Sequence, residues 1–110
     1  MKKDISKITE LRLNPKNIII DLRMAWAYDC ARIPGTLNVP ADELLWRIGA
    51  LTQRFDTPIY LFCTSGAKSG AVCEELEETG YLNVHDLGLL SGWKHGFETP
   101  FGLQEYEGDT

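Results

Sequence analysis

No stretch of the sequence approaches the roughly 18 consecutive apolar residues that read as a membrane-spanning helix. The amino-terminal residues also lack the apolar run of a secretory signal: Met1-Lys2-Lys3 is followed by Asp4, Ser6, Lys7, Thr9 and Glu10. A cytoplasmic protein is the expectation. Positive charge is scarce, with 11 Lys and Arg against 16 Asp and Glu and a formal net charge of −5. That balance argues against nucleic acid and against an anionic membrane surface as partners. Cysteine is scarce and odd in number. Cys30, Cys63 and Cys73 are irregularly spaced and fit neither a disulfide framework nor a zinc site. The two histidines, His85 and His95, have no cysteine or carboxylate arranged around them as metal ligands would be. Neither a metal nor an organic cofactor is therefore expected. Internal repeats and low-complexity segments are missing too.

What remains is an ordinary globular mix, with 44% hydrophobic and 25% charged residues in 110. One domain over 1–110 is expected, able to bury a core without disulfides. Residues 1–17 are an ambiguous amino-terminal segment, readable as strand or short helix over the first thirteen. Residues 101–110 are acidic and polar and read as a loosely packed tail.

Ile18-Ile19-Ile20-Asp21-Leu22 follows the Asn14-Pro15-Lys16-Asn17 turn and reads as a strand buried on both faces. Pro58-Ile59-Tyr60-Leu61-Phe62-Cys63 is a second such run. Asn83–Leu87 and the short Leu37-Asn38-Val39, closed by Pro40, are two more. Between them, Asp42–Phe55 places Leu44, Leu45, Ile48, Leu51 and Phe55 on one helical stripe. Ser69–Thr79 places Val72, Cys73 and Leu76 inward and Glu74, Glu75, Glu77 and Glu78 outward, with Gly80 as the stop. A further short helix is expected around Trp93. Strands alternating with helices imply an α/β fold, a parallel sheet with helices on both faces. Ligands in such sheets bind beyond the carboxyl ends of the strands. Cys63 stands in that place.

The segment Cys63-Thr64-Ser65-Gly66-Ala67-Lys68-Ser69 joins the most apolar strand to a helix. Short residues and a glycine let its backbone curl so that N–H groups converge, and the helix behind adds its positive end. Such a cradle stabilises an anion and favours the thiolate of Cys63. Lys68 adds a cation at the rim, and Ser69 is placed to cap the helix. Cys73, on the inward stripe, reads as core, and Cys30, in a polar loop, as an incidental thiol.

Four motifs then resemble those of the rhodanese superfamily, over about three quarters of the chain. Asp21-Leu22-Arg23 is similar to the family's D-x-R. Tyr28 to Pro40 resembles its Y-x-x-G-H-I-P-G-A-x-N-I-P segment. Cys63 to Ser69 resembles its active loop, C-x4-[RK]-S, and Gly88 to Trp93 its closing G-G-x-x-x-W. The resemblance implies a rhodanese-like fold, with a central, mostly parallel five-stranded sheet. It implies a sulfurtransferase in which Cys63 carries a persulfide, Thr64 to Lys68 form the cradle, and Asp21 and Arg23 support it. The partners it implies are a small sulfur-containing anion or persulfide as donor and a thiol, cyanide or sulfur-accepting protein as acceptor.

The departures also carry meaning. Ala31 and Arg32 replace the family's Gly-His, and Leu89 its second closing glycine. Thr64 follows the cysteine where many thiosulfate-using members have arginine, and Trp26, Ala27 and Tyr28 stand where some have another. The mouth is thus less positive than in those enzymes, and thiosulfate is expected to be a weaker donor. The fold also hosts phosphatases and arsenate reductases, but those resemble a longer C-x5-R loop. The shorter C-x4-K ring suits one sulfur atom, and lysine lacks the planar fork that grips phosphate. A persulfide carrier or partner-binding module with little turnover is the main competing expectation.

Overall fold

Three isoleucines in succession leave little choice for residues 18–20. β-Branched side chains favour extended backbone, and an apolar run without alternation must be covered on both faces. In a computed structural model of the chain, which describes residues 3–64 and 66–104, this segment is β1 (Ile18–Asp21). β2 (Leu37–Asn38), β3 (Ile59–Cys63) and β4 (Val84–Leu89) complete one sheet in the order β2-β1-β3-β4, every pair parallel.

Alternation along the strands divides the core in two. Ile20, Leu22, Ile59, Leu61 and Cys63 point to one face, where α3 (Leu44–Leu51) and α4 (Ala67–Thr79) cover them with Leu44, Ile48, Val72, Cys73 and Leu76. Ile19, Tyr60, Phe62 and Leu87 point to the other, against Ile5, Ile8, Ile33 and Trp93. The helices on both faces and the parallel sheet match the expectation. The outward glutamates of α4 are exposed, and Gly80 ends that helix at φ +116.

The sheet has four strands rather than five. The amino-terminal segment supplies a 3-10 turn (Ile5–Lys7) and α1 (Ile8–Leu11) instead of a fifth strand. Asp4 caps the turn by accepting from the Ser6 backbone N–H at 3.0 Å. Ile5 and Ile8, three apart, then fall on one buried face, which suits a helical turn and not a strand.

Three other boundaries differ. α3 is shorter than Asp42–Phe55: Leu44 and Ile48 are buried, whereas Leu45 and Phe55 stay exposed. The helix expected around Trp93 is one 3-10 turn, Leu90–Gly92, and Trp93 itself is buried beyond it. Residues 101–104 are exposed but not irregular. β5 (Phe97–Thr99) and β6 (Gly102–Gln104) form an antiparallel hairpin, with Gly102 at φ +107 after the turn. Residues 105–110 of the expected tail lie outside the described residues. The hairpin is held to the body where Arg32 and Glu98 exchange backbone hydrogen bonds and pair through their side chains at 2.9 Å. Among the described residues, no helix is long and apolar enough to cross a membrane.

From β1 the chain moves one way to β2. From β3 it moves the other way to β4. The strand order therefore reverses between β1 and β3, and a crevice opens beyond their carboxyl ends.

Candidate active site

β3 is buried along its whole length and ends in Cys63, which is 3% exposed. Beyond it the chain rises to exposed Thr64 and returns through Gly66 into α4. Ser65 lies outside the described residues. Gly66 has φ +81, a backbone conformation that a side chain disfavours. A Cβ there would also stand 2.9 Å from Leu89 Cδ2. This glycine points its N–H at the sulfur, donating to Cys63 Sγ at 3.0 Å. Its carbonyl accepts from Ser69 Oγ at 3.0 Å and from the Gly70 backbone N–H at 3.3 Å. The N–H of Gly66 is thus tied to the sulfur and its carbonyl to the first turn of α4.

Ser69 does not cap the helix as expected. Left-handed Gly66 starts α4 at Ala67, so Ser69 falls inside the first turn, fully buried, with its hydroxyl directed back at Gly66. Ala67 and Lys68 belong to the helix rather than to the loop, and both are exposed.

The opposite wall comes from the segment after β1. Asp21 is fully buried, and its carboxylate accepts from the Arg23 backbone N–H at 2.9 Å. Arg23 Nε reaches both carboxylate oxygens, at 3.1 and 3.0 Å, and Nη2 lies 2.9 Å from Oδ2. Nη2 also donates to the Ala31 carbonyl at 2.6 Å. Asn38 Nδ2 donates to the carbonyls of Asp21 and Arg23 at 3.0 and 2.8 Å. Through the Ala31 carbonyl the pair ties down the exit of α2 (Ala25–Cys30), across the crevice from Cys63.

Between these walls lies a cleft of about 290 Å³, lined by Leu22, Arg23, Met24, Trp26, Ala27, Cys63, Thr64 and Lys68. Of the residues expected at the site, Cys63, Thr64, Lys68 and Arg23 meet here. Asp21 lies beneath Arg23, and Gly66 and Ser69 lie behind the sulfur. Trp26, which stands where some family members have an arginine, and Met24, which the motifs did not single out, also line the cleft and are 72% and 51% exposed. The signal available in the sequence was the placement of large apolar side chains directly after Asp21-Leu22-Arg23.

The other two thiols differ. Cys73 sits in the core, and burial, with a smaller push from the Asp86 carboxylate, raises its pKa to about 12. It stays protonated at neutral pH. Cys30 is exposed at the end of α2 and is not among the residues lining the cleft. A thiol at a strand end, an amide donating to its sulfur, and a cation at the rim supply a nucleophile and stabilisation for negative charge on it.

Known proteins share this architecture. The family described as rhodanese-like domain matches residues 6–95. The thiosulfate sulfurtransferase PspE of Escherichia coli is 31% identical over 71 residues, covering 64% of this chain and 68% of that protein. The adenylyltransferase and sulfurtransferase UBA4 of Meyerozyma guilliermondii is 29% identical over 87 residues, covering 73% of this chain but only 20% of that protein. Among solved structures, a rhodanese with anions from E. coli superposes with a TM-score of 0.65 at 28% identity, covering 70% of this chain and 91% of that one.

Proposed function

The chain belongs to the rhodanese-like domain family, and on that premise we propose that it transfers a sulfane sulfur through a persulfide on Cys63. The observation that carries this reading is the hydrogen bond from Gly66 N–H to Cys63 Sγ at the floor of the cleft. An amide fixed in that position favours negative charge on sulfur, first on the thiolate and then on the persulfide.

The reaction has two halves. In the first, the Cys63 thiolate attacks the outer sulfur of thiosulfate. A bond forms between the two sulfurs, the sulfur–sulfonate bond breaks, and its electron pair leaves on sulfite. Lys68 at the rim attracts the dianion and offsets its charge. In the second half, an acceptor thiolate or cyanide attacks the terminal sulfur and leaves with it, regenerating the Cys63 thiolate. Neither half requires a metal or organic cofactor. Asp21 and Arg23 act at a distance, by holding the wall that faces the nucleophile. Cytoplasmic residence fits a thiol that must stay reduced between turnovers.

The test is steady-state sulfur transfer from thiosulfate to cyanide. Parallel double-reciprocal lines are expected, with sulfite released before the acceptor is added. Cys63→Ser is expected to lose turnover, and Cys30→Ser to keep most of it. Activity in Cys63→Ser equal to that of the unaltered protein would refute the reading. Cys63-dependent hydrolysis of an aryl phosphate, without sulfur transfer, would favour the phosphatase alternative.

A further inference from the structure

We propose that the cavity over Trp93 is a second binding site, for a carboxylate carried on a small apolar body, with Arg12 as its anchor. The inference stands apart from the sulfur-transfer reading. The cavity shares no lining residue with the Cys63 cleft. It also lies on the other side of the sheet, since Trp93 packs in the core opposite to the one that contains Cys63.

Three segments of the chain meet there. The exit of α1 brings Arg12 and Leu13, the turn before β2 brings Pro34, and the approach to the β5–β6 hairpin brings Trp93 and His95, with Leu103 of β6 at the rim. The cavity measures about 440 Å³, a size ordinary for small-ligand pockets.

Arg12 differs from every other arginine of the chain. Arg23, Arg32, Arg47 and Arg54 pair with the carboxylates of Asp21, Glu98, Glu43 and Asp56. Among the described residues no carboxylate pairs with Arg12, although the sequence holds 16 acidic residues against 11 Lys and Arg. Its guanidinium is held in place all the same. The guanidinium carbon lies 5.7 Å from the centroid of the Trp93 ring, and Nη1 donates to the Pro34 carbonyl at 3.1 Å. The indole is itself fixed, with Nε1 donating to the Gly96 carbonyl at 3.1 Å. Gly35, at φ +92, lets the arginine stem lie close over the turn, because a Cβ there would stand 3.1 Å from both Cβ and Cδ of Arg12. None of these partners carries a charge. The cation is therefore positioned without being neutralised, and its remaining N–H groups form a planar fork suited to a carboxylate. No carboxylate lines the cavity to oppose an anion.

The surroundings specify the rest of the ligand. His95 stands edge-on to the same indole, with ring centroids 4.9 Å apart, and supplies a further polar group. Leu13 and Leu103 are 79% and 62% exposed, so packing in the core does not account for them. Together with Pro34 they give the cavity an apolar rim, which an apolar body would cover. One guanidinium balances one negative charge, which favours a carboxylate over a doubly charged phosphate.

The test is calorimetric titration with 2-naphthoate, and with 2-naphthamide as its uncharged counterpart. Naphthoate is expected to bind about tenfold more tightly than the amide, a difference of about 1.4 kcal/mol. Arg12→Gln should weaken naphthoate binding by a similar factor and remove its advantage over the amide. Leu13→Glu, at an exposed position where folding is not at stake, should also weaken it by placing a like charge at the rim. Lys68→Ala should bind naphthoate as the unaltered protein does, because Lys68 lines the other cleft. Naphthoate that does not bind, that binds no better than the amide, or whose binding is indifferent to Arg12→Gln overturns the inference. Binding that is lost in Lys68→Ala assigns the ligand to the Cys63 cleft and overturns it as well.

Discussion

The backbone N–H of Gly66 and the sulfur of Cys63 lie 3.0 Å apart, and the glycine holds that position with φ at +81. Two separate obstacles oppose any side chain there. One is the left-handed backbone, worth roughly 1–2 kcal/mol for a non-glycine residue. The other is the 2.9 Å approach to Leu89 Cδ2. Gly66→Ala is therefore expected to lose roughly 1–3 kcal/mol of stability in urea unfolding and to load sulfur more slowly. Adding Leu89→Ala should recover the part due to the clash and leave the backbone part. Strict additivity of the two changes would show that the Leu89 contact is not the obstacle.

Asp21 and Arg23 form a buried pair whose energetics are asymmetric. Removing the carboxylate strands a guanidinium in a site of low exposure, so Asp21→Ala is expected to cost about 3–5 kcal/mol. Arg23→Lys keeps the charge but not the planar fork that spans both carboxylate oxygens and the Ala31 carbonyl. An intermediate loss is expected, together with a raised KM for the donor as the α2 wall loosens. Denaturant midpoints and donor KM values read the two effects separately. An Asp21→Ala protein as stable as the unaltered one would show that the pair does not hold this wall.

Cys73 gives the protein an alkaline weakness. Its pKa is raised by burial from the ordinary 9.0 to about 12, so above pH 9 the unfolded chain releases a proton that the folded chain keeps. The stability tied to this thiol is complete below pH 9. It is lost as pH rises toward 12, at up to about 1.4 kcal/mol per pH unit. Cys73→Val, which cannot ionise, should flatten that slope, while the methyl group it adds to the core shifts stability by the same amount at every pH. Unfolding free energies at pH 8, 10 and 11 measure the difference, and parallel pH profiles would contradict it.

Local chemistry explains which features could be read in advance. β1 and β3 were legible because Ile18–Ile20 and Ile59–Phe62 are apolar on both faces, a pattern that surface segments do not carry. α4 was legible because Val72, Cys73 and Leu76 recur at helical spacing between glutamates. The six residues of α2 were not, since none is buried and no side chain caps the helix, so periodicity had nothing to report. Ile5 and Ile8 were ambiguous because two apolar residues cannot distinguish a turn of helix from a strand. The docking of the β5–β6 hairpin on the body rests on Arg32 pairing with Glu98 far along the chain, which no local pattern contains.

The candidate site divides in the same way. Cys63, Gly66 and Lys68 are neighbours in sequence, and their type and spacing could be read directly. The Trp26 wall comes into play only when β1 and β3 lie side by side, which brings two distant segments to one cleft. Ser69 shows the limit of reading caps from composition. A serine near a helix start is a reasonable cap, but a glycine with positive φ three residues earlier moved the start.

The measurement that bears most directly on the central claim is the mass of the protein after exposure to thiosulfate and desalting, followed by peptide mapping. One additional sulfur is predicted on the peptide containing Cys63. Cyanide should remove it with release of an equal amount of thiocyanate. Cys30→Ser should load as the unaltered protein does, and Cys63→Ser should not load. A protein that gains no sulfur from thiosulfate, or a cyanide-labile sulfur that persists in Cys63→Ser, would contradict the account.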